Sequence, residues 1–387
     1  MKAAWQIWAV GAILGLAAGG LTNYYRQSQQ GEGEAAPEVK AVELSTDAFS
    51  LRLFHHAIEG KQNGNVLVAP RTLGRALLAL QELAAGKTLE ELQSLQLSEE
   101  SYLRNSEPDS AALLGKDLSL ARGEKAAPVM TLPFSENVPM ALSLFNGMLA
   151  PILGSSEAQL ADSTMVTNRT RLLAGCVGKF HADWKTPFSR TDTRIADFDN
   201  VSGGMPHFTQ MRSRGLYQVA EAEDGSWKAV ALPMRDTNSS RIPLVYIGIL
   251  PSGSAREFAS ALTHEKLTEI RRALSTATPQ DTLVELPRLE LRVPPYDMRD
   301  SLRRLGLKAL FDSETADFSA LTPDKIHLGA LVQSLEVVLT ESRIKAAPNP
   351  ELNYAEKCVS FSRPYIWMIA DLETPTPIEF IGLVEEM

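Results

Sequence analysis

From Thr164 to the C-terminus the chain is dominated by short apolar runs of β character, and no other feature narrows its fold so far. "RLLAGCVGKF" (171–180) is one such run, and "IHLGALVQSLEVVL" (326–339) is a longer one. "WKAVALPM" and "IPLVYIGILP" are paired across a polar, Asn/Ser-rich turn at 236–241. "TLVELPRLELRV" holds two strands with Pro287 at their join, and "YIWMIADL" and "PIEFIGLV" close the chain. Two helical patterns interrupt the series, "HEKLTEIRRAL" and "YDMRDSLRRLGL", the second with Gly306 where a helix stop belongs. Most helical signals lie upstream. Helices early and strands late give an α+β fold rather than alternating βαβ units.

The upstream half reads as follows. In "STDAFSLRLFHHAIEG", Ser45, Thr46 and Asp47 are N-cap candidates, and Phe49, Leu53, Phe54, Ala57 and Ile58 line one helical face. "NVLVAP" is a short strand ended by Pro70. "TLGRALLALQELAAG" is helical, with Gly86 as its stop, and Thr88 with Glu91 has the spacing of a capping box for the next helix. Residues 98–125 are polar and carry little period, while "VPMALSLFNGML" (138–149) is compatible with a strand.

The chemistry of the usual enzyme motifs is not legible. There is no G-x-S-x-G elbow, P-loop or G-x-G-x-x-G, and the six histidines form no H-E-x-x-H. His55 and His56 are adjacent, so on a helix they diverge and make a poor metal pair. No catalytic residue, metal or cofactor is expected. A net charge of −9 argues against nucleic acid. Cys176 and Cys358 are far apart in sequence and read as two unpaired thiols.

The N-terminus reads "MKAAWQIWAVGAILGLAAGGLTNYYRQ". Residues 1–25 fit either a cleaved signal peptide, with a small-residue exit at Ala17-Ala18-Gly19, or a membrane tether through residues 3–21 flanked by Trp5, Trp8, Tyr24 and Tyr25. Either reading implies export, secreted or anchored. Residues 26–44 are polar and rich in Gly, Ala and Glu, the composition of a flexible tether. Residues 45–387 are expected to be one folded domain.

Several stretches run collinear along most of the chain: "NVLVAPRTLGRALLALQELAAGKT", "VGKFHADWKTPF" with Trp184, Pro187 and Phe188, "DTRIADF", "WKAVALP", "VYIGILP", "LPRLELRVPPYDMRDSLRRLGLKALFDSETADFSALT", "FSRPYIWMI" and "IEFIGLV". Together they resemble the serpin family. The resemblance implies a helical cap, three β-sheets and an exposed reactive loop near the C-terminus, here about 341–360. It implies a monomer whose partner is a serine or cysteine protease. In inhibitory members the protease attacks the loop, and the cleaved loop enters the largest sheet as a new strand.

Insertion demands a small, flexible hinge, side chains alternating between two faces, and a backbone N–H at each ladder position. Glu341 matches the family's hinge glutamate, and Ala346 and Ala347 fit its alanine run. Arg343 and Ile344 stand where the family has glycine and a small hydroxyl residue. Pro348 and Pro350 share the inward face with Ile344 and Ala346, and each proline removes a ladder donor. The loop is about four residues short, a loss of roughly 13 Å of reach at about 3.3 Å per residue. Counting back from "VSFSRPY" places the scissile bond at Asn353–Tyr354, and counting forward from Glu341 places it at Lys357–Cys358. The family's polar cluster beneath the sheet is replaced by Ala69, Thr72, Cys176 and Gln333. If "ALSLF" is the second strand of the main sheet, little chain remains for a helix across that sheet. Two functions follow: a bait-loop protease inhibitor, or a non-inhibitory binding or scaffold protein of the same fold.

Overall fold

A computed structural model describes residues 38–103, 110–116, 129–153, 159–235, 243–341, 346–373 and 377–387. The apolar N-terminal run, the tether up to residue 37, the turn at 236–241, Arg343 and Ile344 lie outside the described residues. Among those described, no helix is long and apolar enough to cross a membrane.

The chain runs through α1 (Glu38–Glu59), β1 (Val66–Val68), α2 (Pro70–Gln81), α3 (Gly86–Gln93), α4 (Glu99–Leu103), β2 (Ser110–Lys116), β3 (Val129–Thr131), α5 (Val138–Leu153) and β4 (Leu172–His181). It continues through β5 (Arg194–Asp197), β6 (His207–Glu221), β7 (Trp227–Pro233), β8 (Leu244–Pro251), α6 (Ala255–Ser260), α7 (His264–Thr276) and β9 (Gln280–Pro287). β10 (Leu289–Asp297), α8 (Arg299–Arg304), β11 (Leu328–Leu339), β12 (Lys357–Ser360), β13 (Tyr365–Asp371) and β14 (Phe380–Val384) complete it. Pro287 is the last residue of β9, and Arg288 alone separates it from β10.

Several boundaries differ from the sequence reading: Tyr296 and Asp297, read as the start of a helix, end β10, and α8 begins at Arg299. α1 begins at Glu38, so the end of the expected tether is helical. Asp47 is no cap: its buried carboxylate accepts from Arg271 Nη1 at 3.1 and 3.2 Å. α2 stops at Gln81, and Gly86 opens α3 rather than ending the helix before it. Thr88 therefore lies inside the first turn of α3. Its hydroxyl accepts from the Asp317 N–H at 2.9 Å, and the Glu91 carboxylate accepts from the Ala309 N–H at 2.7 Å. The expected capping box serves a distant loop instead.

The largest correction concerns Val138–Leu149, which is helix α5 and not a strand. Ala141, Leu142 and Phe145 recur at helical spacing and are buried, while Met140, Ser143 and Leu144 are exposed. Asn137 Oδ1 accepts from the Met140 N–H at 2.9 Å, an N-terminal cap. The second strand of the main sheet is β2, in the segment whose sequence carried little period.

The strands form two hydrogen-bonded sets, of five and nine, and the larger set is two sheets joined through β6. The five-stranded sheet has the order β10-β11-β4-β2-β3, with β11 and β4 parallel and paired without a gap from Ala330↔Leu173 to Val338↔His181. The other sheet has the order β1-β14-β13-β8-β7-β6-β9-β12, with β5 on β6. Long β6 joins two sheets here: residues 210–217 pair with β9 and residues 218–221 with β7. Alternate residues of β4 serve opposite faces. Leu172, Ala174 and Cys176 face the helical core, whereas Leu173 and Val177 meet α5 through Phe145, Leu142 and Ala141. A helix does cover the main sheet, and it sits closely: a Cβ at Gly175 would lie 2.7 Å from the Phe145 ring. Asn146 holds it at the buried side, accepting from the N–H groups of Leu160 and Ala161, each at 2.9 Å, and donating to the Ala161 carbonyl at 2.8 Å.

Candidate functional site

The segment from Glu341 to Ser360 leaves the top of β11 and returns as β12 on the edge of the other sheet. Its entry is buried. The Glu341 side chain is 1% exposed and pairs with Arg288, whose Nε and Nη2 donate to it at 2.5 to 3.0 Å. The Thr193 hydroxyl donates to Glu341 Oε1 at 2.7 Å. Burial pushes this carboxyl up, but the hydrogen bonds from Arg288 and Thr193 and the guanidinium charge outweigh it and hold the pKa below its ordinary 4.5. Trp184 Nε1 donates to the neighbouring Thr340 carbonyl at 2.8 Å.

Beyond the hinge the segment is fixed along its length. The Ser189 hydroxyl donates to the Ala346 carbonyl at 3.1 Å, and the Asn349 N–H donates to Asp192 Oδ2 at 2.9 Å. Ala347, Pro348 and Pro350 are exposed. The chain then makes a 3₁₀ turn, Leu352–Tyr354, on the face of β6. Arg214 Nη1 donates to the Glu351 carbonyl at 2.6 Å, and Arg212 Nη2 donates to Asn353 Oδ1 at 2.6 Å. Both arginines are backed by β9: Arg214 donates to Asp281 at 2.5 and 2.7 Å, and Arg212 to Glu285 at 3.0 Å. Arg214 in turn holds the Asp281 carboxyl below the usual range. Leu352 is buried and Tyr354 is 78% exposed.

The far end is a strand. Lys357 and Cys358 lie in β12, opposite Thr282 and Leu283 of β9 in a parallel ladder. Phe361 then plugs the core, so close to β8 that a Cβ at Gly248 would come within 2.4 Å of its ring. The two candidate bonds thus differ in setting, Asn353–Tyr354 in a surface turn and Lys357–Cys358 inside a ladder.

The residues beneath the main sheet assemble in part. Gln333 and Cys176 are register partners across β11 and β4, with Gln333 Nε2 3.4 Å from Cys176 Sγ, and Tyr296 OH donates to Gln333 Oε1 at 3.0 Å. Thr72 is buried nearby, with its hydroxyl 3.1 Å from the position of a Cβ on Gly178. Burial raises the Cys176 thiol to about 12, so it is an inert neutral group. Both cysteines are free, Cys176 buried and Cys358 exposed. No group of three His, Cys, Asp or Glu side chains among the described residues could hold a metal ion.

Sequence reasoning named the segment and Glu341 but not Thr193, Arg212, Arg214 and Arg288, which hold it. The signal was present for two of them. "RSR" at 212–214 puts both arginines on one face of a strand, and β9 carries Asp281 and Glu285 within reach.

This fold and this loop define a class. The family model described as Serpin (serine protease inhibitor) matches residues 157–387, more than half of the chain, and the protein belongs to the serpin family. Plasminogen activator inhibitor 1 of Neovison vison is 24% identical over 90% of this chain and 94% of its own. Serpin B5 of Homo sapiens is 22% identical over 88% of this chain and 98% of its own. Among solved structures, a tumour-suppressing serpin superposes with a TM-score of 0.78 at 19% identity, covering 90% of this chain and all of the other. Uncleaved ovalbumin does so at 0.77 and 16% identity, over 89% of this chain and 100% of its own. The α+β serpin fold, with its helices and three sheets, is therefore the fold of this protein.

Proposed function

We propose that this serpin meets a serine or cysteine endopeptidase through residues 346–360, and that the segment does not enter the five-stranded sheet. The observation that carries this is the pair Pro348 and Pro350, which would sit between β4 and β11 without ladder donors. The held hinge supports it, since Thr193 and Trp184, which follow β4 in the chain, donate to Glu341 and to the Thr340 carbonyl at the end of β11. Such a protein is a reversible blocker or a slowly cleaved bait. It supplies no catalytic residue of its own. The domain from about residue 45 acts as a monomer, exported by the N-terminal segment as a secreted or membrane-tethered protein.

The test is incubation with trypsin-like, chymotrypsin-like and papain-like proteases, followed by a denaturing gel. Free protease and a nicked or intact chain are expected. An SDS-stable covalent complex overturns the reading.

One observation favours the trap mechanism instead. β4 and β11 are parallel neighbours, so an antiparallel strand between them would find a partner on both sides, and Ala346 and Ala347 suit rapid entry. On that reading the same gel shows the complex.

A further inference from the structure

We infer that Tyr354 is the residue this loop offers to a protease's primary pocket, so that the bond at risk is Tyr354–Ala355 and the matching endopeptidase is one with a deep apolar pocket. This rests on the reading that the segment meets a protease, but not on whether the loop inserts.

The geometry removes the neighbouring bonds one by one. A protease buries one substrate side chain in a pocket and draws the backbone around it into extended form, so the single 3₁₀ turn at Leu352–Tyr354 opens on docking. Lys357 and Cys358 have their backbones committed to β9 in a parallel ladder. Asn353 has its side chain held by Arg212 at 2.6 Å, and that arginine is fixed by Glu285. Leu352 is 5% exposed, packed beneath the turn. Tyr354 alone in the turn projects a large apolar side chain, at 78% exposure. Ala355 after it already has extended geometry, φ −62° and ψ 142°, and its small side chain puts no bulk beside the bond.

Arg212 and Arg214 are positioning residues in this scheme. They hold the turn against β6, so that Tyr354 faces outward and Leu352 inward. The turn is further tied by Tyr354 N–H to the Glu351 carbonyl at 3.0 Å and Glu351 N–H to Asn349 Oδ1 at 3.0 Å. Leu216 lies on the same face of β6 as the two arginines and is 72% exposed.

The experiment is limited proteolysis of the folded full chain with chymotrypsin, trypsin and an asparaginyl endopeptidase in parallel, with intact-mass mapping of the first cut. The expected result is a chymotryptic fragment beginning at Ala355. A first cut by chymotrypsin elsewhere in 346–360, or a faster cut after Lys357 by trypsin or after Asn353 by the asparaginyl enzyme, overturns the inference. So does resistance of the whole segment to all three. Tyr354→Ala is expected to slow the chymotryptic cut by about tenfold or more, the scale of a lost pocket contact. Arg212→Ala and Arg214→Ala are expected to add a second cut after Leu352, and Arg212→Lys or Arg214→Lys to restore the single cut. General destabilisation would instead open cuts outside the segment. An SDS-stable complex joined through Tyr354 would sink the non-insertion reading and leave this one standing.

Discussion

At the scale of single residues, Glu341 carries the most consequence. Its carboxylate is buried, while Arg288 remains 37% exposed at the side chain, so solvent screens part of the pair. Glu341→Gln should cost about 1–3 kcal/mol of stability, read from denaturant unfolding, since a buried partner is lost but the amide keeps some hydrogen bonds. The pH dependence has a definite sign. The folded-state pKa lies below the ordinary 4.5, so the contribution is present above that value and is lost as pH falls through the folded pKa. Wild type should lose stability below about pH 4.5 more steeply than the Gln variant; equal slopes would remove Glu341 as a source. The residue was picked out in the sequence because it matches the hinge glutamate of the family the chain resembles. Arg288 was not, because its proximity arises only when β9 and β10 bring it beside the end of β11.

At the scale of elements, α5 shows how a short apolar run misleads. "VPMALSLFNGML" has too few polar residues to display a period, so strand and helix fit it equally. What decides is the surface it meets: Gly175 on β4 leaves room for the Phe145 ring. Gly175→Ala should push α5 off the sheet and cost about 1–3 kcal/mol by overpacking, visible as a lowered midpoint in thermal unfolding. Asn146→Ala should strand two N–H groups and a carbonyl that are buried in the wild type, at a cost of about 2–4 kcal/mol. A neutral outcome in both variants would mean that α5 is not seated as described. The late strands β4, β7 to β11, β13 and β14 were read correctly because each is bounded by its own turn residues, whereas β5, β6 and β12 were not read as strands. β2 was missed because a strand identified by its partners needs no strong pattern of its own.

At the scale of the whole molecule, the question is whether the closed seam between β4 and β11 opens. Beyond the backbone ladder, Lys179 of β4 pairs with Glu336 of β11 at 3.3 Å, and Arg292 of β10 adds to Glu336 at 3.2 Å. Opening must break the Lys179–Glu336 pair and the contacts that Thr193 and Trp184 make with Glu341 and Thr340, whereas Arg292 and Arg288 stay on the β11 side. Nicking the loop should therefore leave the thermal unfolding midpoint unchanged; a large rise after nicking would mean that the strand had entered. The variant Arg343→Gly, Pro348→Ala, Pro350→Ala restores flexibility and ladder donors, and it should show such a rise where the wild type does not.

The sequence by itself determined the class of fold, the strand-rich C-terminal half and the position of the exposed segment, because those follow from local period, turn residues and motif order. Its prolines also carry the proposal that the segment does not insert, since a missing N–H is a property of the residue wherever it lies. Only the tertiary structure decided that α5 covers the main sheet, that Glu341 is locked and that Tyr354 stands out from a turn held by Arg212 and Arg214. Those facts depend on side chains far apart in sequence meeting at one place, and no local pattern encodes that meeting.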